Sequence, residues 1–209
     1  MFGLSSISLF IATSWLLILS PGPDSIYVLT RGISLGKKAG ITSAIGVTLG
    51  IFVHTAFAAL GISVILMTSA TLFAIVKIIG TVYLIYLGIK TLFEKDKIFK
   101  NEVQNISNHR SIFIQGILSN TLNPKVALFF LSYLPQFVTK GSVAVSIQML
   151  FMGTLFAIFT VIYLLSLGYF AGRIGNWISK KEYMMRRIRY VSGSILIALG
   201  IRLAFIRRN

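Results

Sequence analysis

The 209-residue chain is 56% hydrophobic and only 12% charged, with a mean hydropathy of +0.85 and a formal net charge of +15. That apolar fraction excludes a soluble domain, and the absence of cysteine excludes disulfides, thiolate metal sites and cysteine nucleophiles. What remains is an all-α integral membrane protein, and the length allows six spans of roughly 20 residues with nothing left for a separate domain.

Segment one covers residues 5–30. It carries no charge from residue 2 to residue 19 and is then broken at Leu19-Ser20-Pro21-Gly22-Pro23-Asp24. Two prolines and a glycine cannot continue an ordinary helix. Residues 31–40 form a short basic loop, and segment two, residues 39–67, carries Gly46-Val47-Thr48-Leu49-Gly50, a small-residue stripe that lets helix backbones approach. An uncharged turn over residues 68–71 leads to segment three, residues 72–92. A polar linker follows over residues 93–110.

Segment four, residues 111–134, is interrupted at Asn123-Pro124-Lys125. A loop over residues 135–142 leads to segment five, residues 143–171. A basic loop then precedes segment six, residues 190–206, whose Gly193 and Gly200 permit a homodimer interface. The first segment has no basic flank or cleavage site and is expected to stay in the chain. Read as re-entrant, it would leave five spans.

The positive charge is clustered. Of 20 Lys and Arg, three stand at Arg31, Lys37 and Lys38, five between residues 90 and 110, and six between 173 and 189. Three basic loops separated by pairs of apolar segments follow the positive-inside rule, so the charge orients the chain and argues against a nucleic-acid partner. The loops then lie inside and both termini outside, against the minority vote of Arg202, Arg207 and Arg208.

The chain thus reads as one membrane domain spanning residues 1–209. Repeat one is 5–92, the linker 93–110 and repeat two 111–206. Three spans per half make the second repeat inverted, and in each the first helix is broken at proline. Corresponding broken helices in two halves point to a transporter's binding site.

Ser20 and Asn123 each precede a proline, an order that suits a helix start. A half-helix starting in mid-membrane presents N–H groups and a positive dipole end to an anion such as a carboxylate. The blander reading is a pair of kinks that only shape the bundle. Asp24 is the one acid inside an apolar segment, hence a seat for a proton, a cation or an ammonium group, or else simply a carboxylate stabilised at a helix start. Lys125 is too central to snorkel and needs a carboxylate or a water-filled cavity, with Asp24 the one acid available. His54 and Lys77 stand as supporting positions; His54 relays protons or only bonds a neighbouring helix, and Lys77 is a site residue or an anchor at the membrane face.

Catalytic patterns are missing. There is no phosphate loop, no H-E-x-x-H and no paired carboxylates within a segment, and two histidines do not make a metal site. The sequence calls for no enzyme activity, no metal and no cofactor.

The stretch LSPGPDSIYVLTRGISLGKKAGITSAIGVTLGIFVHTAFAALG resembles the N-terminal signature of the LysE-type translocators, the lysine and homoserine/threonine exporter relatives. KIIGTVYLIYLGIKTL and NPKVALFFLSYLPQFV are similar to that family's third segment and second break. The resemblance implies export of small amino acids across a bacterial cytoplasmic (inner) membrane, driven by the proton-motive force, in a multi-pass protein. It carries over Ser20, Pro21, Gly22, Pro23, Asp24, Asn123, Pro124 and Lys125 as site positions. The expected partners are an amino acid substrate and the lipid bilayer. The alternative is a non-transporting membrane scaffold or sensor subunit, for which Asp24 would tolerate change.

Overall fold

Proline and glycine end the first apolar run where the composition breaks. In the computed structural model, which describes residues 4–62, 69–93, 108–138, 143–174 and 182–205, helix α1 (Leu4–Leu19) stops there. Helix α2 (Pro23–Leu35) restarts with Pro23 in its first turn, bent 48° from α1. Proline suits that place because its missing N–H would find no intrahelical partner anyway.

Helix α3 (Lys37–Phe57) follows after Gly36 alone, whose φ of 88° lies in the left-handed region that glycine occupies without strain. The loop expected over residues 31–40 is therefore a one-residue junction: Arg31 belongs to α2, and Lys37 and Lys38 open α3. A π-turn (Ala58–Ile62) extends α3. The turn expected at residues 68–71 falls mostly outside the described residues or within helix α4 (Ala70–Phe93). Of the polar linker, residues 94–107 lie outside the described residues. Its last residues start helix α5 (His109–Thr121), where the Asn108 side chain accepts a hydrogen bond from the Arg110 N–H.

Helix α6 (Pro124–Leu128) begins the far side of the second break and widens into a π-turn (Phe129–Tyr133) and a 3-10 turn (Leu134–Phe137). Pro135, expected to open a loop, is buried in that last turn. Helix α7 (Val145–Tyr169) matches segment five closely. Helix α8 (Glu182–Phe205) starts earlier than the apolar pattern, so Arg186, Arg187 and Arg189 lie on a helix and not in a loop. Its first turns are polar, and hydropathy alone does not see them.

Among the described residues the structure is helical, with no strand. The stretches Lys37–Gly61 and Val145–Tyr169 are long and apolar enough to cross a membrane, and the bent α1–α2 pair adds a third if it counts as one span. Ile75, Ile78, Ile79, Val82, Tyr86 and Ile89 are all exposed along α4. In water such a strip would be a liability, whereas hydrocarbon accepts it.

Helix α3 sits at the centre, packed on α2, α5 and α7, while α4 pairs with α8. Small residues set these distances. A Cβ on Gly46 would lie 2.3 Å from the Phe113 carbonyl oxygen of α5, and one on Gly40 would lie 2.7 Å from the Gly168 carbonyl oxygen of α7. Gly193 and Gly200 of α8 are occupied in the same way: added Cβ atoms would meet Leu92 Cγ at 2.6 Å and Ile85 Cγ1 at 2.9 Å on α4. These two glycines, which permit a homodimer interface on sequence, pack against α4 within the chain. An aromatic core lies between α1, α6 and α7, where Phe129 stacks on Phe156 with ring centres 5.0 Å apart and Phe10 meets Phe137 edge-on at 5.4 Å.

Candidate functional site at the two helix breaks

At the first break, the Ser20 N–H still bonds back to the Leu16 carbonyl at 3.2 Å, and α2 opens with Ile26 N–H to the Gly22 carbonyl at 3.0 Å. Gly22, not Ser20, is therefore the residue before the helix, and it has no side chain with which to cap it. Two prolines flanking one glycine shift the start by two residues. The Ser20 hydroxyl instead reaches the Ser192 carbonyl of α8 at 3.5 Å.

At the second break the expected cap forms. Asn123 precedes Pro124, and its Oδ1 accepts from the Lys125 N–H at 3.0 Å. That bond fixes the amide's orientation, since Oδ1 must face the backbone donor and Nδ2 must face the other way. Nδ2 donates to Asp24 Oδ2 at 3.0 Å. Asp24 itself lies in the first turn of α2, where a carboxylate is favoured by the helix dipole.

A second amide converges on the same oxygen. Asn120, fully buried near the end of α5, donates from Nδ2 to Asp24 Oδ2 at 2.8 Å. Its backbone carbonyl accepts from the Asn123 N–H at 2.8 Å and is also contacted by His54 Nε2 at 3.0 Å. A carbonyl only accepts, so His54 carries a proton on Nε2. Asn120 was not singled out from the sequence. Its one signal there was its place three residues before Asn123, on the turn that the break leaves open.

Lys125 is buried, but it does not pair with Asp24. Its ammonium donates to the Ser20 carbonyl, an acceptor left without an intrahelical donor by the first break. A Cβ at Gly22 would lie 3.3 Å from Lys125 Nζ and 3.4 Å from its Cδ, so glycine gives the lysine its room. One break thus supplies the carboxylate and a carbonyl, and the other the ammonium and an amide.

Between them lies a cavity of about 30 Å³, bordered by Gly22, Asp24, Asn120, Asn123 and Lys125 on its polar side and by residues such as Leu17, Ile51 and Phe156 on its apolar side. Asp24 Oδ1 is shielded from solvent and has no hydrogen-bond partner. The charged seat therefore has one oxygen satisfied twice and the other free to receive a donor.

The remaining predicted positions lie outside the cavity wall. Pro21, Pro23 and Pro124 shape the breaks without lining the space, and Ser20 contributes its backbone oxygen alone. His54 stands behind Asn120. Lys77 is remote: its ammonium donates to the Ala204 carbonyl at 3.3 Å, in the last turn of α8, where a cation suits the helix end.

Residues 15–206 match the LysE type translocator family. The chain belongs to that family. Among the relatives of this translocator are an uncharacterized membrane protein, YrhP, of Bacillus subtilis, 28% identical over 94% of the chain and 97% of the relative. Another is the uncharacterized membrane protein PA4757 of Pseudomonas aeruginosa, 28% identical over 90% of the chain and 89% of the relative. No solved structure matches the chain.

Proposed function

We propose that this translocator is a secondary transporter that exports small amino acids from the cytoplasm, coupled to the proton-motive force. One observation carries the reading: a carboxylate from the first break and an ammonium from the second border the same cavity. In this reading Asp24 holds a substrate ammonium or a coupling proton at Oδ1. The substrate carboxylate competes with the Ser20 carbonyl for Lys125. Competition of proton and ammonium for one oxygen makes exchange the natural cycle.

The cavity has room for about two water molecules. An amino acid enters only if the two breaks move apart, which is what alternating access requires. Six spans in two inverted repeats fit the packing, because equivalent segments pair: α3 with α7, and α4 with α8. A two-fold axis running between the breaks would relate them. Binding of either ligand must then favour one opening differentially, since a ligand that binds both states equally shifts nothing.

The test is efflux from proteoliposomes loaded with labelled amino acids, with and without a proton gradient. Gradient-dependent efflux of one or a few supports the reading. Absence of efflux for all of them, from protein shown to be folded, returns the weight to a non-transporting membrane module.

A further inference from the structure

Charge is sparse around the cavity. Among the described residues that border it, Asp24 and Lys125 are the only two with formal charge, and they cancel. Each is already matched to one end of an α-amino acid, Asp24 Oδ1 to the ammonium and Lys125 to the carboxylate. The rest of the wall is uncharged: the Asn120 and Asn123 amides, the hydroxyls of Ser25, Thr160 and Tyr163, and hydrocarbon. The Thr160 hydroxyl already donates to the Phe156 carbonyl at 2.9 Å, so it offers only acceptor capacity to a guest.

We infer that the transported amino acid has an uncharged side chain, aliphatic or hydroxylated, and that the site rejects lysine, arginine, aspartate and glutamate. This rests on the transport reading above. A basic side chain would bring a third charge into a cavity whose only carboxylate is engaged by the α-ammonium. An acidic one would need a second cation, and Lys125 is the only one lining the space. An unpaired buried charge is costly enough to slow transport roughly a hundred-fold or more. Phe156 bounds the space on the apolar side, where it stacks on Phe129 at 5.0 Å and meets Phe130 edge-on at 5.5 Å.

The experiment uses the full chain in proteoliposomes, loaded separately with leucine, valine, threonine, lysine, arginine, aspartate and glutamate. Efflux of one or more neutral members, with all four charged ones at least roughly a hundred-fold slower, supports the inference. Thr160→Asp then adds a carboxylate to the wall, and it should raise lysine efflux above wild type while slowing the neutral substrate. Lysine or glutamate leaving the wild type as fast as the best neutral member overturns the inference and leaves amino acid export standing. Glutamate alone leaving fast overturns it too, with Asp24 carrying a proton during transport and Lys125 selecting an anion. No efflux of any of the seven, from folded protein, overturns both readings.

Discussion

Asp24 and Asn120 stand 96 positions apart in the chain and meet through a 2.8 Å hydrogen bond from the asparagine amide to one carboxylate oxygen. Asn123 donates to that same oxygen at 3.0 Å. The carboxylate is thereby held from one side, and its other oxygen is left free and shielded. The two breaks meet at that oxygen and again where Lys125 donates to the Ser20 carbonyl. Whatever moves one break relative to the other must loosen these bonds, so the site's charge and the helix geometry are linked.

Replacing Asp24 by Asn keeps an oxygen that accepts from Asn120 and Asn123 but removes the charge. We expect Asp24→Asn to fold and to lose coupled efflux by roughly a hundred-fold or more, the scale of an unmatched buried ion. Melting in detergent and efflux from proteoliposomes check the two halves of that statement. Undiminished export would sink the role of Asp24.

Asn120→Ala leaves the carboxylate oxygen with one amide donor, Asn123, while the retained Cβ keeps the close approach to Gly50, where an added Cβ would lie 2.7 Å away. A lost hydrogen bond to a charged group costs about 1.5–3 kcal/mol. The variant should melt lower and export more slowly by ten-fold or so, by the conversion of about 1.4 kcal/mol per decade. Wild-type rates in this variant would show that Asn123 alone holds the carboxylate.

Lys125→Met removes the link from the second break to the Ser20 carbonyl while keeping most of the stem's packing. Export should fall by at least ten-fold, and Lys125→Arg should not rescue it. The buried ammonium is a compact donor to the Ser20 carbonyl, and a larger planar guanidinium does not reproduce that geometry. An arginine variant as active as wild type would contradict this packing.

His54→Leu deletes the donor to the Asn120 carbonyl, a buried bond worth about 1 kcal/mol net. Thermal melts should show a loss of that order, and His54→Gln should recover part of it. If neither variant differs from wild type in stability, the histidine does not position the end of α5.

Two glycine substitutions separate close packing from mere composition. A side chain at Gly46 would collide with the α5 backbone, so Gly46→Val should cost more than about 2 kcal/mol or prevent folding. Gly172 has nothing within 4 Å of its added Cβ, and Gly172→Ala should stay within about 0.5 kcal/mol of wild type. Equal melting temperatures for the two would refute the α3–α5 contact.

The sequence by itself determined the class, the two breaks and the residues that carry charge into them. Those follow from local chemistry: apolar runs of membrane length, prolines that lack a donor, and one acid where hydrocarbon forbids acids. It also carried the family resemblance, because PGPD and NPK with their flanks are contiguous in the chain. Tertiary structure alone decided how the parts meet. Lys125 donates to the freed Ser20 carbonyl and not to Asp24, one of whose oxygens two amides hold. Gly22 displaces Ser20 as the helix start because the second proline resets the first turn. Gly193 and Gly200 face α4, a choice invisible until the helices are packed. Asn120 was the residue hardest to see, for an asparagine inside an apolar segment has no meaning until a partner from another helix reaches it.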